Sequence, residues 1–190
     1  MKYFFAGDWH LGHANIIKYC NRPFSSVEEM NETIIRNHNE RVKPEDWVYF
    51  LGDFCFRNSK GGKEGEGELT KAQAYLKRVN GRFIFICGNH DKNNSLKTIL
   101  QKAVIKYGNY FVHLVHNPEL ADCDYPINFT AHVHHHWKFK QIKDGYAFSR
   151  ITDCINVGVD VWDFKPVTFE EIMKEYNKWK KDGKPQPIYS

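Results

Sequence analysis

Short apolar blocks punctuate the chain, and the first three end on glycine followed by a polar residue. Tyr3-Phe4-Phe5-Ala6 runs into Gly7-Asp8, Trp47-Val48-Tyr49-Phe50-Leu51 into Gly52-Asp53, and Arg82-Phe83-Ile84-Phe85-Ile86-Cys87 into Gly88-Asn89-His90-Asp91. Runs of this length bounded by turn formers read as buried strands. Between them the spacing turns helical. Ser26-Val27-Glu28-Glu29 has the form of a capping box, and Val27, Met30, Ile34 and Ile35 follow at helical intervals, which predicts a helix to about Arg41. Ala72, Tyr75, Leu76 and Val79 mark a second helix. The alternation of strand and helix is the pattern of a parallel sheet. Ser95 predicts the cap of a short helix carrying Leu96, Ile99 and Leu100.

The second half is richer in strands. Tyr110 to Val115 leads into His116, and Ile127-Asn128-Phe129-Thr130 leads to His132. Asp144-Gly145 is a hairpin signal between two strand-like runs, and Cys154 to Asp160 reads as a further strand. Thr168-Phe169-Glu170-Glu171 is a second capping box, opening an amphipathic helix with Ile172, Tyr176 and Trp179 that Gly183 and Pro185 end. The glycines and charges of residues 57–67 predict a mobile surface loop without the pattern of a phosphate-cradling loop. No linker or repeat divides the sequence, so residues 1–190 are expected to form a single domain.

Composition narrows the class. The 190 residues are 42% hydrophobic and 26% charged, which is globular rather than disordered. A net charge of +4 is too mild to argue for nucleic acid by itself, and a phosphate-bearing substrate tolerates it. No apolar run approaches the ~20 residues of a membrane helix, so no membrane partner is expected. Met1 to Phe5 leads straight into Gly7-Asp8 without a secretory leader, and the five cysteines form no Cys-x-x-Cys pair. A reduced, cytoplasmic setting is the expectation.

The ten histidines matter through their placement. Five strand ends carry metal-capable residues: Asp8-x-His10, Asp53, Asn89-His90-Asp91, His116 and His132-x-His134. Sites in open α/β sheets form at the carboxyl ends of strands. Gathered there, carboxylate, amide and imidazole suit first-row dications. Strand alternation is expected to point Asp8 and His10 the same way, toward one ion. Asp53 has two oxygens and can bridge two ions about 3.5–4 Å apart.

These ordered motifs resemble those of the calcineurin-like metallophosphoesterase superfamily. The segment from Asp8 to Ile17, Asn21-Arg22-Pro23-Phe24, and Asn156-Val157-Gly158-Val159-Asp160 before Lys165-Pro166-Val167 resemble its small bacterial and phage members. The resemblance spans about residues 3 to 172. It implies a four-layer α/β/β/α sandwich with two facing mixed β-sheets. It also implies two divalent metal ions, Mn²⁺ first, with Fe, Ni²⁺ and Zn²⁺ as alternatives. Asp8, His10 and His134 would hold one, Asn89, His116 and His132 the other, with Asp53 between them. His90 would stabilise or protonate the leaving oxygen, Asp91 would orient its ring, and a metal-bridging hydroxide would attack. The family commonly has glycine where this chain has Ala131; a positive φ there would cost alanine about 1 kcal/mol or more.

Further candidates surround this set. His13 and Arg57 are candidates for substrate phosphate, and Arg22 for either a phosphate or a structural ion pair. His135 and His136 are expected at the rim, His113 in a structural role and His38 on the solvated face of the first helix. Trp9 and Trp137 flank the motifs, where they either pack or stack on a base, and Lys138-x-Lys140 adds charge. The expected substrate is a phosphate ester, in particular a phosphodiester of a nucleotide or nucleic acid. The competing readings are a metal-binding scaffold without turnover and a structural zinc site. The latter is normally closed, four-coordinate and cysteine-rich, which this set is not.

Overall fold

A computed structural model describes residues 1–56, 71–91, 96–143 and 150–183. The expectations for the 57–67 loop, Arg57, Ser95, the Asp144-Gly145 turn and Pro185 lie outside these residues. The described chain runs β1 (Tyr3–Ala6), α1 (Ala14–Tyr19), α2 (Val27–Arg41), β2 (Trp47–Leu51), α3 (Ala72–Leu76), β3 (Arg82–Ile86), β4 (Lys102–Tyr107), β5 (Tyr110–Val115), β6 (Ile127–Thr130), β7 (Phe139–Lys143), β8 (Ile151–Asn156), β9 (Val167–Thr168) and α4 (Phe169–Lys181).

Two mixed sheets result. One has the order β3-β2-β1-β9, parallel except for β9; the other has the order β4-β5-β6-β8-β7, with β5, β6 and β8 parallel and both edges antiparallel. Because side chains alternate along a strand, neighbours serve different cores. Phe5 and Leu51 join Leu114, Phe129 and Ile155 of the second sheet, while Ala6 and Phe50 join Met30, Ile34 and Ile35 of α2 and Tyr75 of α3. α4 runs along the second sheet: Phe169 stacks on Tyr107, and the Tyr176 hydroxyl donates to Asp153 at 2.6 Å. Both predicted segments start helices: Thr168 and Glu171 form the full reciprocal box, whereas Ser26 accepts from Glu29 N and the Glu29 carboxylate reaches back to Ser25 N instead. All five strands that carry metal-capable residues end on the same side of the two sheets, which brings their loops together.

Several expectations are corrected. Residues 96–100 are not helical: Ile99 and Leu100 are exposed, and the Leu100 carbonyl accepts from Cys87 N at 2.7 Å, which uses the backbone to extend the end of β3. The strand expected over 154–160 stops at Asn156, whose side chain accepts from Gly158 N at 2.8 Å and turns the chain into a 3-10 turn at Val159–Val161. β4, an edge strand with Val104 exposed, was not anticipated, nor was the short helix α1. His38 is wholly buried instead of solvated: its Nε2 meets the Asn80 carbonyl at 2.8 Å and its ring stacks on Phe83. Burial pushes its pKa down to about 4, so it sits in the core as a neutral ring.

Candidate metal centre

The loops after β1 and β2 are zipped together by backbone hydrogen bonds, Asp8 N to the Gly52 carbonyl at 3.0 Å and His10 N to the Asp53 carbonyl at 2.9 Å. Asp8 and His10 lie beyond the strand, not on it. Both have positive φ, 56° and 51°, so a left-handed loop aims their side chains and strand alternation does not. Asp53, His132 and His134 share this conformation at 58°, 73° and 48°. L-residues pay about 1–2 kcal/mol each for it, and such strain collects at functional sites.

Three glycines make the approach possible. A Cβ on Gly88 would lie 2.2 Å from Asp53 Oδ1, one on Gly52 2.5 Å from the Gly88 Cα, and one on Gly7 2.9 Å from the Ala131 Cβ. Ala131 itself is not among the positive-φ residues, so alanine carries no conformational penalty there. The Asp91 carboxylate accepts from the backbone N–H groups of Asp53, Gly88 and Phe54 at 3.0, 2.8 and 3.2 Å. These bonds make Asp91 a clamp between the β2 and β3 loops, beside the His90 whose ring the family resemblance expects it to orient.

The side chains converge on Asp53. Its Oδ2 lies 3.5 Å from His10 Nε2 on one side and 3.4 Å from His116 Nε2 on the other, and its Oδ1 accepts from His90 N at 2.8 Å. Asn89 Oδ1 is 2.9 Å from both His116 Nε2 and His132 Nδ1. Among the described residues, candidate ligand atoms within 4.8 Å of one another form the groups Asp8–His10–His134, Asp53–His116–His132, His10–Asp53–His90 and, behind His134, Cys20–His134–Asp160. Asp8 Oδ1 and both ring nitrogens of His10 are buried without a hydrogen-bond partner. Unsatisfied polar atoms in a buried cluster of this donor chemistry suit divalent cations.

Charge in the cluster points the same way. Burial lifts the Asp8 pKa to about 6, against the pull of His134 and His116. Burial also lowers His116 and His134, but bonds to Asp53 and Asp160 and the charge of Asp8 outweigh it and raise them to about 9 and about 10. Protons on these two rings supply positive charge beside the carboxylates. His10, buried and near Arg22, is held far below the usual histidine range.

His13 lies beside the cluster, stacked on Phe56, with its ring 5.6 Å from His10 and 6.1 Å from His90; burial and the charge of His90 lower its pKa to about 4. His135 and His136 are exposed, their rings tilted against each other outside the groups, while His113 is buried against Asn128 and Tyr125. Trp9 is fully buried among Phe50, Phe54 and His38, where no base can reach it. Arg22 pairs with Asp160, so it is an internal group and not a phosphate ligand. Lys138 is tied to Glu175 and lies over the Trp162 ring. Asp160 went unassigned in the sequence because its partners, Arg22 and His134, are brought to it only by the fold.

Known proteins match the chain, some over nearly its whole length and one over little more than half. An uncharacterized protein of Methanocaldococcus jannaschii is 42% identical over 183 residues, covering 94% of this chain and 93% of that one. Gene 66 protein of Mycobacterium phage L5 is 29% identical over 110 residues, covering 58% of this chain and 49% of its own. The crystal structure of a protein of unknown function from Aquifex aeolicus superposes with a TM-score of 0.63 at 25% identity, covering 91% of this chain and 98% of that one. The family model for calcineurin-like phosphoesterases matches residues 1–187, and the chain therefore belongs to this family of metal-dependent phosphoester hydrolases.

Proposed function

We propose that the chain, acting as one domain, is a phosphodiesterase working with two divalent cations, Mn²⁺ before Fe, Ni²⁺ or Zn²⁺. The observation that carries this reading is the Asp53 carboxylate, within 3.5 Å of both His10 and His116 and shared between the His10–Asp53–His90 and Asp53–His116–His132 groups. Asp8, His10 and His134 would hold one ion and Asn89, His116 and His132 the other, with Asp53 common to both. When bound, the ions supply charge to the phosphoryl oxygens and lower the pKa of an attacking water. The remaining work falls to the chain. The Asp53 Oδ1 bond to His90 N fixes the loop from which His90 reaches the leaving oxygen and protonates it. Asp91 locks that loop to the Asp53 loop, and His13 contacts the substrate phosphate.

A diester carries two organic arms, and two cavities support that choice. One of about 480 Å³ is lined by Gln101, Lys102, Val115 and Leu120; another of about 560 Å³ by Trp137, Lys140 and Ile142; both include His132 and Asn117. Amides, ammonium groups and apolar walls suit a nucleotide-like arm. The test is hydrolysis of bis-p-nitrophenyl phosphate by chelator-treated protein with Mn²⁺ returned. His90→Ala is expected to lower the rate by about 100-fold or more. Turnover of monoesters alone would remove the diester reading, and no turnover with two ions bound would favour a binding scaffold.

A further inference from the structure

Two stretches of the sequence stand outside the ligand set, Asn21-Arg22-Pro23-Phe24 and Asn156-Val157-Gly158-Val159-Asp160. The fold brings them together beneath the Asp8-Trp9-His10 segment. Arg22 Nε donates to Asp160 Oδ1 at 2.8 Å and its Nη2 to Oδ2 at 2.9 Å, with both side chains buried. The same guanidinium donates to the carbonyls of Asp8 at 2.6 Å and Trp9 at 2.9 Å. At the other end, Asp160 Oδ2 accepts from His134 Nδ1 at 3.0 Å. Asn156 Nδ2 donates to the His134 carbonyl at 2.7 Å, fixing the backbone of the same residue. Gly158 completes the arrangement, because a Cβ there would lie 2.6 Å from Asp8 Oδ2.

We propose that Arg22 and Asp160 are positioning residues that set Asp8 and His134 as ligands of one cation, and only that one. Asp160 holds the Nδ1 proton of His134, so an ion that displaces the second ring proton would meet the lone pair on Nε2; Arg22 fixes the backbone that carries Asp8. Carboxylates that orient ligating histidines in this way tune affinity for the metal. A buried ion pair gains little net stability over apolar residues of similar volume, so stability alone does not account for one that also bonds the Asp8 carbonyl and the His134 ring. The inference rests on the reading of Asp8 and His134 as ligands.

The test measures Mn²⁺ binding by equilibrium dialysis to chelator-treated wild type, Asp160→Asn, Arg22→Lys and His134→Ala, with melting temperatures taken alongside. Asp160→Asn is expected to weaken one of two ions by about 10–100-fold and leave the other unchanged. Arg22→Lys, which lacks the planar fork, is expected to weaken the same ion, and His134→Ala to lose it. Wild-type binding of both ions in Asp160→Asn and Arg22→Lys, with one lost in His134→Ala, would overturn the inference and leave the centre intact. Equal weakening of both ions in step with a falling melting temperature would also overturn it, as a purely structural effect. Two tight ions in His134→Ala would remove the reading of His134 as a ligand, and the inference with it.

Discussion

Replacing Asp8 by Asn should stabilise the metal-free protein. Asp8 is completely buried; its Oδ2 accepts from His132 N at 2.7 Å, and its Oδ1 has no hydrogen-bond partner. Burial raises its pKa from 3.8 to about 6. A carboxyl group that holds its proton more tightly in the folded state contributes most below the unfolded pKa, and that contribution is lost as pH rises through the folded one. The interval corresponds to about 3 kcal/mol at neutral pH. Asn carries no charge, retains an acceptor for His132 N, and tolerates the 56° φ of this position. In chelator at pH 7.5, Asp8→Asn should therefore melt roughly 6–12 °C above wild type, at about 2–4 °C per kcal/mol for a chain of this size. The gain should disappear by pH 4, and saturating Mn²⁺ should reverse the order because the variant binds the ion less well. Calorimetry across this pH range is the assay. A variant no more stable than wild type at pH 7.5 in chelator would show that burial of the Asp8 charge, offset in part by His134 and His116, does not destabilise the fold.

Two other perturbations follow from the same geometry. Gly88→Ala forces a Cβ to within 2.2 Å of Asp53 Oδ1 and 2.4 Å of Asp53 N, whereas Gly108→Ala meets nothing within 4 Å and bears only the strain of its φ of 56°. Overpacking should cost Gly88→Ala about 1–3 kcal/mol and its activity, against about 1 kcal/mol with activity retained for Gly108→Ala; equal activities in the two would contradict the Gly88–Asp53 contact. His38→Gln keeps a donor for the Asn80 carbonyl while removing a ring whose pKa burial lowers to about 4. The folded state resists protonation that the unfolded chain accepts, so His38 costs stability as pH falls from 6.5 toward 4, up to about 3 kcal/mol. Denaturant titrations at pH 7 and pH 4 should show the variant gaining on wild type at the lower pH, and a pH-independent difference would count against a neutral buried His38.

The strand ends were legible because short apolar runs closed by glycine and a polar residue leave few alternatives. The reason for the geometry at Asp8 and His10 was not, since nothing in Asp-x-His separates strand alternation from the left-handed backbone found there. Residue type misled at His38, which occupies the apolar stripe of α2 with Ile34 and Ile35 and is buried with them. Val104 sits exposed on β4 among apolar neighbours and blurs the alternation that would have marked an edge strand. Asp160 depends on a partner 138 residues away, a separation at which periodicity carries no signal.

The central claim is that Asp53 joins two cation sites into one catalytic centre. Its most direct test is the rate of bis-p-nitrophenyl phosphate hydrolysis measured against Mn²⁺ bound per chain, starting from chelator-treated protein. Little turnover is expected with one ion, and a rate that rises as the second site fills. Full activity with a single ion, or none when both sites are filled, would contradict it.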